Sequence, residues 1–506
     1  MATPMTRDPP AAPSPRSGQQ ALDRAQRQAY RRRKARAKAR SEARRQEEAG
    51  RVEALPVRHP HAAGIDIGSR SHWVCVGFTT DASSCLIREF PAHTAGLKAI
   101  AAFLHEHQVN SIALESTGVY WVPLFELLQA EGFGVLLVDP SYSHQLRGRP
   151  KTDRLDCQWI QRLHAHGLLP ASFRPSADIA VLRHYLRQRA EVVRNASRHI
   201  QHMQKALEQM NVKLPEVIND ITGVTGQKVL TAILAGERDP LTLARLRDKH
   251  CKNSIDTMAR ALRGSWRPEA LFALQQAWDS WQHYQSQLRT LEEVIRQQLH
   301  RLKKSSDLPP LPRKIRLRSR QPNDPRFDVR AALYYVTGVD LTELEGIGDV
   351  TALVVVSEIG LDMSRFPSVK HFCAWLGLCP IVKQSGRTRK GKKKIKSAQT
   401  RRGRGRAGQA LCLAANSLWK NLSAMGSFLR RLKARLGAPK AVLATAHKLA
   451  RQLYQTLKTG VLPAKVSAEV YEAAQHERAV QAVKKKAQRL GLVVTESVAQ
   501  AASAPS

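Results

Sequence analysis

Four acidic side chains are the residues most suited to chemistry in a chain of 506 residues that carries 81 Lys and Arg against 42 Asp and Glu, a formal net charge of +39. Asp66 lies in GIDIGS, Glu115 closes NSIALE, and Asp153 and Asp156 stand three apart in KTDRLD. A protein this basic is suited to polyanions. Acids aimed at the same cleft oppose that binding unless a divalent cation bridges their oxygens to phosphate. Such hard oxygen donors would hold Mg²⁺ or Mn²⁺, which would position and activate a phosphodiester. Any one of these acids alone reads as an ordinary solvated residue; the set gains its meaning from the elements that carry it.

Those elements begin near Ala62. AAGIDIGS and SHWVCVGF read as two strands joined by a tight Gly-Ser-Arg turn, and CLIREF as a third. TAGLKAIAAFLHEH has helical spacing, NSIALE is a strand, VPLFELLQAEG a helix, GVLLVDP a strand and TDRLDCQWIQRLHAHG a helix. The order βββαβαβα is that of a ribonuclease H-like fold, a mixed sheet with helices on its faces. Asp66 would then sit within the first strand and Glu115 at the end of the fourth. Asp153 and Asp156, at i and i+3, would share one helix face, so all four can meet in one cleft. Actin-like ATPases and sugar kinases also open with an Asp-x-Gly strand-turn, but the second such turn and the Gly-rich adenosine loop they need are absent. The one G-x-G-x-x-G, Gly403 to Gly408, follows a basic run rather than a strand.

Asp178 to Met210 and Leu274 to Leu302 have coiled-coil spacing and suit an antiparallel hairpin arm, a contact with another protomer, or an ordinary helical bundle. ITGVTGQKVLTAILAG between them suits a small helical tip. SSDLPPLPRKIRLRSRQPNDPRF is Pro-rich and aperiodic, a linker. LTELEGIGDVTALVVVSEIG then has the pattern of a helix-hairpin-helix. Gly346 and Gly348 would let backbone N–H groups approach phosphate, or would simply cap a helix. SVKHFCAWLGLCPIVKQSG carries an apolar helix into a Pro-broken loop at Gln384-Ser385-Gly386. From Arg387 to Arg406 there is no acidic residue. Arg387, Arg389, Lys390, Lys392, Lys393 and Lys394, with Lys151 upstream, are candidate phosphate contacts. GQALCLAANSLWKNL and KAVLATAHKLARQLYQTL are amphipathic helices for the core of this unit.

The expected organisation is a basic disordered arm over 1–58, an acidic-cluster α/β domain over 59–172, a helical region over 173–304 and a linker over 305–330. A mainly α domain over 331–462 and a tail over 463–506, partly disordered and without a site, complete it. Nucleic acid is the expected partner and a membrane is not, since no apolar run approaches the ~18 residues of a spanning helix and the start lacks a signal-peptide core. Seven scattered cysteines without a C-x-x-C pair speak against a zinc site and a secreted disulfide framework, and for a reducing cytoplasm.

GIDIGSRSHWVCV, ALESTGVYW, RPKTDRLDCQW, ELEGIGDVTA and CPIVKQSG, in this order and spacing, closely resemble the DEDD transposases of bacterial insertion sequences, over roughly 62–460. The resemblance implies a RuvC-like domain joined to a serine-bearing transposase domain. It implies Asp66, Glu115, Asp153 and Asp156 as the metal-binding tetrad and Ser385 as the nucleophile that bonds to DNA. It also implies guidance by a bridge RNA and a homo-oligomer, a dimer or tetramer, in which the RuvC-like site of one protomer faces the serine domain of another. Cys157 stands where that family's block usually has a small alanine, and the basic arm and Pro-rich linker look like additions. Two other classes stay open on sequence alone: a metal-dependent nuclease or resolvase that uses water, and a non-catalytic nucleic-acid-binding protein.

Overall fold

The computed structural model describes residues 55–77, 85–116, 118–140, 152–303, 308–312, 321–387, 393–400 and 403–494, with the backbone alone over 382–387 and 393–399. The chain forms two compact units, 1–174 and 175–506. Lys151, Arg389, Lys390, Lys392 and nearly all of the basic arm lie outside the described residues.

In the first unit, β1 (Ala62–Ile67), β2 (Ser71–Val76), β3 (Leu86–Pro91), β4 (Ser111–Glu115) and β5 (Gly134–Val138) form one sheet in the order β3-β2-β1-β4-β5. β1 to β3 pair antiparallel, β1 and β2 through a tight turn closed by the Gly68 N–H on the Ser71 carbonyl, whereas β4 pairs parallel with β1 and β5. Those helices are α1 (Thr94–Glu106) and α2 (Trp121–Ala130); α3 (Asp153–Ala165) follows β5. Among the described residues this is the order βββαβαβα expected from sequence, and it is a ribonuclease H-like mixed sheet.

Period-two alternation divides the sheet's residues between two cores. Ala63, Ile65 and Ile67 of β1, with Ile112 and Leu114 of β4, pack with Leu97, Ile100 and Leu104 of α1 and Leu124 and Leu128 of α2. On the opposite face, Ala113 and Val138 pack with Ile160 and Leu163 of α3. The intervening positions, Gly64, Asp66 and Glu115, therefore belong to the face that α3 covers.

In the second unit, α4 (Ala177–Gln209) and α9 (Pro268–Arg301) run antiparallel. Gln298 donates to the Asp178 carbonyl at 3.0 Å, Arg189 pairs with Glu292 at 2.7 Å, and the His199 and Tyr284 rings lie 5.5 Å apart, so partners descend on one helix as they ascend on the other. Four short helices cap the far end: α5 (Leu214–Val217), α6 (Val224–Leu234), α7 (Pro240–Arg245) and α8 (Ile255–Ala261). Met203, Leu207, Leu230, Ile233, Met258 and Trp278 share their core with the helix pair. The near end is tied differently. The buried Glu358 carboxylate takes both Arg187 nitrogens, at 3.0 and 2.8 Å, and Arg183 donates to its carbonyl.

Glu358 belongs to α11 (Asp349–Ile359), which follows α10 (Val329–Thr337). Between them LTE is a single 3-10 turn, Leu341–Glu343, so the first helix of the expected hairpin is shorter than its sequence pattern suggests. After α12 (Val369–Trp375), β6 (Pro380–Arg387) pairs antiparallel with β7 (Lys393–Thr400). The loop expected at Gln384-Ser385-Gly386 is thus a strand. Pro380 is its first residue, where a missing N–H is tolerated, and the register shifts between Lys383 and Gln384 and again between Gln384 and Arg387.

Helices α13 (Arg406–Ser417), α14 (Ala424–Leu436) and α15 (Ala438–Thr459) bury Leu411, Leu429, Leu449 and Leu453 to close this core. The expected partly disordered tail includes a helix, α16 (Ala468–Arg489). Only Ala487 in it is buried, and polar contacts hold its start: Ser427 donates to Glu472 at 2.6 Å and Arg431 to the Tyr471 hydroxyl at 3.0 Å. An apolar stripe, the usual sign of a docked helix, is not what fixes it. Among the described residues no helix is long and apolar enough to cross a membrane.

Candidate active site

Asp66 and Glu115 are brought together by the pairing of their strands. Ile65 is paired with Leu114 across the parallel β1–β4 ladder, so one residue further along both strands the two carboxylates stand side by side on the α3 face. The chain direction of α3 then decides which of its residues reach them. Thr152 caps the helix, its hydroxyl accepting from the Leu155 N–H at 3.3 Å, and Asp153 and Asp156 occupy the first turn. A helix N-terminus favours anionic side chains, so the fold places these acids where the backbone helps to hold their charge.

Close approach of α3 to the sheet depends on Gly64. A Cβ there would lie 2.1 Å from the Gln161 nitrogen and 2.4 Å from the Cys157 carbonyl oxygen, distances no real side chain tolerates. Gln161 reinforces the contact from the helix side, donating at 3.4 Å to the carbonyls of Ala62 and Gly77. At the far end of α3, His164 bonds Ser111 at 2.8 Å and stacks on His59; burial pushes this imidazole down to about 4, with His59 adding to the effect. It is a neutral structural residue at neutral pH. Gly64 escaped the sequence reading, although a glycine inside a strand is a signal that another backbone comes near.

The electrostatics of Asp66 report the convergence. Burial first, and then the negative charges of Glu115, Asp153 and Asp156, together push its carboxyl up to about 7, against an opposing effect from the Ile67 N–H. Three acids, Glu115, Asp153 and Asp156, distant from Asp66 in sequence, thus act on its one carboxylate. Among the described residues, no three His, Cys, Asp or Glu side chains already form a group that could hold a metal ion. These two observations are compatible for a hard cation. Mg²⁺ is commonly held by one or two carboxylates, with water and substrate phosphate completing its shell, rather than by a finished protein cage. The donor set fits such a cation: all oxygen, mutually repelling, and partly desolvated at Asp66.

Cys157 lies within the same packing. Its thiol donates to the Arg154 carbonyl at 3.1 Å, and Cys75 of β2 hydrogen-bonds with both Cys157 and Cys85, contacts that together with burial hold the Cys75 proton firmly. All seven cysteines are free.

The second unit carries Ser385 in the irregular stretch of β6 between Gln384 and Arg387; Arg387 pairs with Lys393 at the end of the ladder where β6 leads on to β7, and Lys394 follows it in β7. Gly346 has a structural need to be glycine. Its φ is +79°, and a Cβ would lie 2.9 Å from Leu418 Cγ and 3.0 Å from the Ala414 oxygen. Gly348 caps α11 with extended backbone, and Glu345 beside them accepts from the Met425 N–H at 2.9 Å. The turn is therefore packed against the α13–α14 connection, a role independent of any phosphate.

A ribonuclease H-like sheet whose central strands and covering helix bring together Asp, Glu, Asp and Asp defines a RuvC-like DEDD domain. Residues 63–212 match the model of the DEDD transposases of the IS110 type, described as a transposase, and residues 340–428 match that of the transposase IS116/IS110/IS902 family. Two separate stretches of the chain are thus similar to the two parts of IS110-type DEDD transposases, and this similarity supports an enzymatic role in cutting and recombining DNA. Among solved structures, T. thermophilus RuvC in complex with Holliday junction substrate is similar over 22% of this chain and 99% of that chain, at 14% identity and a TM-score of 0.16. No curated protein matches the chain.

Proposed function

We propose that this transposase cuts and rejoins DNA through a covalent bond between Ser385 and the strand, that Asp66, Glu115, Asp153 and Asp156 form the cation-holding half of the same site, and that a bridge RNA guides an assembly of several protomers. The observation that carries this reading most is the gathering of three further acids around Asp66 in a chain of net charge +39. Repulsion of that kind is costly unless it serves a cation.

In the proposed step the Ser385 Oγ attacks phosphorus. An Oγ–P bond forms, a P–O bond of the DNA backbone breaks, and the released strand end departs as a hydroxyl, taking up a proton equivalent to the one the serine loses. One phosphate ester replaces another, so rejoining is the reverse attack by a strand hydroxyl and needs no ATP. A divalent cation, when bound, supplies charge stabilisation to the phosphorane-like transition state and lowers the barrier to ionising the serine. Arg387, at the end of β6, and Arg389 hold the scissile phosphate. The register shifts around Ser385 support this assignment, because bulges re-aim single side chains and collect next to active sites. Lys151, Lys390, Lys392, Lys393 and Lys394 grip the phosphate backbone, and Gly346 and Gly348 present N–H groups to it.

The test compares Ser385→Ala and Asp66→Ala on a DNA carrying the element ends. Loss of strand exchange in both, with DNA and RNA binding retained, is the expected result. Undiminished cleavage by Ser385→Ala would assign the nucleophile to water instead.

A further inference from the structure

The tetrad and the serine hairpin leave unexplained a cleft of about 370 Å³ in the second unit, bounded by Asn416, Ser417, Trp419, Lys420, Leu429, Lys433, Ala438 and Val442. Its lining joins the apolar groups of Leu429, Ala438 and Val442 to amide, hydroxyl and ammonium groups. Trp419 forms one wall and remains 41% exposed. A large aromatic left partly in solvent on a folded domain gains little for stability. The Lys433 ammonium lies 3.4 Å from the Trp419 ring centroid. The wall is held rigidly: Arg430 donates to the Trp419 carbonyl at 3.3 Å and to the Asn421 carbonyl at 2.7 Å, fixing the 3-10 turn Leu418–Lys420 from behind.

We infer that this cleft receives one unpaired nucleotide, its base stacked on Trp419 and its phosphate held by Lys433 and Lys420. Three features select that ligand. The aromatic face offers stacking to any base, and stacking is the sequence-tolerant way in which proteins hold single strands. An ammonium now poised over the ring can swing to the adjoining phosphate when a base takes its place, exchanging a cation–π contact for a charge-assisted hydrogen bond. The volume lies at the low end for small-ligand sites, room for one nucleotide and not for a duplex, whose bases are already stacked on each other. Asn416 and Ser417 stand at the rim, where an amide and a hydroxyl can meet a base edge. This inference rests on nucleic acid as the substrate of the chain and is independent of the chemistry assigned to Ser385.

The test uses the full chain, short oligonucleotides of one sequence as single-stranded DNA, single-stranded RNA and duplex DNA, and salt high enough to suppress the general attraction of a basic protein. Trp419→Ala should weaken binding to a single strand about tenfold and leave duplex binding unchanged, while Trp419→Phe keeps most of the affinity. Which single strand responds, DNA or RNA, identifies the source of the nucleotide. Photocrosslinking with 5-iodouracil in that strand should map to Trp419. Unchanged affinity for both single strands with a crosslink elsewhere overturns the inference, and so does an equal loss on duplex DNA. Unaltered thermal melting of Trp419→Ala excludes unfolding as the cause.

Discussion

At the scale of single residues, Asp66 is where the fold is most costly and most useful. Its carboxyl stays protonated in the folded protein up to about 7, against an ordinary value of 3.8. Between those limits the folded state binds more protons than the unfolded one, so this group makes metal-free stability fall as pH rises from about 4 to about 7, with no further loss above. Asp66→Asn removes the effect. The metal-free variant should melt higher than the unaltered chain at pH ~8, by on the order of 1 kcal/mol once the partial exposure of the carboxylate is allowed for, and it should lose the Mg²⁺-dependent rise in melting temperature. Melting curves with and without Mg²⁺ across this pH range check both parts. In the unaltered chain the Mg²⁺ effect should grow with pH, because cation and proton compete for the same oxygens. A stability that rises with pH in the absence of metal would contradict the arrangement.

Among the elements, α3 and its seat on β1 carry the site. Gly64→Ala forces a methyl to within 2.1 Å of the helix backbone, so α3 must lift and take Asp153 and Asp156 with it. The expected cost is about 2–4 kcal/mol in urea unfolding, together with loss of Mg²⁺ binding. Arg189 and Glu292, paired at 2.7 Å inside the α4–α9 interface, also anchor the approach to α10: Arg189 donates to the Asn323 carbonyl at 2.8 Å and the Arg326 N–H donates to Glu292 at 3.0 Å. Arg189→Ala should cost about 3–5 kcal/mol, since it strands a buried carboxylate. Changing both partners to methionine should restore only part of the loss in the same denaturation experiment, because the linker backbone keeps its unmet bonds. Much of this layout is legible from sequence. Alternation in AAGIDI and SIALE, the Thr152 cap and the i, i+3 acids announce the strands, the helix and the shared face. The β6–β7 hairpin is not legible. PIVKQSGR and KKIKSAQT lack an apolar alternation, and Pro with Ser-Gly imitates a turn, so their pairing is a non-local fact that local propensity does not encode.

For the molecule as a whole, the +39 charge sets how it meets nucleic acid. If six or more phosphates are neutralised on binding, affinity should fall by about 10³-fold or more between ~50 and ~200 mM salt, measured as the slope of log K against log salt. A shallow slope would mean that the basic residues serve another purpose. Composition made the partner class readable, but charge has no address within a fold. The stacking wall at Trp419, one of eight tryptophans, emerges only when α13, α14 and α15 are assembled around it. The same holds for the division of labour that the proposal assigns to the two units, since one carries the acids and the other the serine. The account stands most directly on one measurement: denaturing the protein rapidly during reaction with its DNA and mapping any covalent adduct by mass spectrometry. It predicts a phosphodiester adduct on Ser385 that disappears in Asp66→Ala; cleaved DNA with no adduct, or an adduct on another residue, would contradict it.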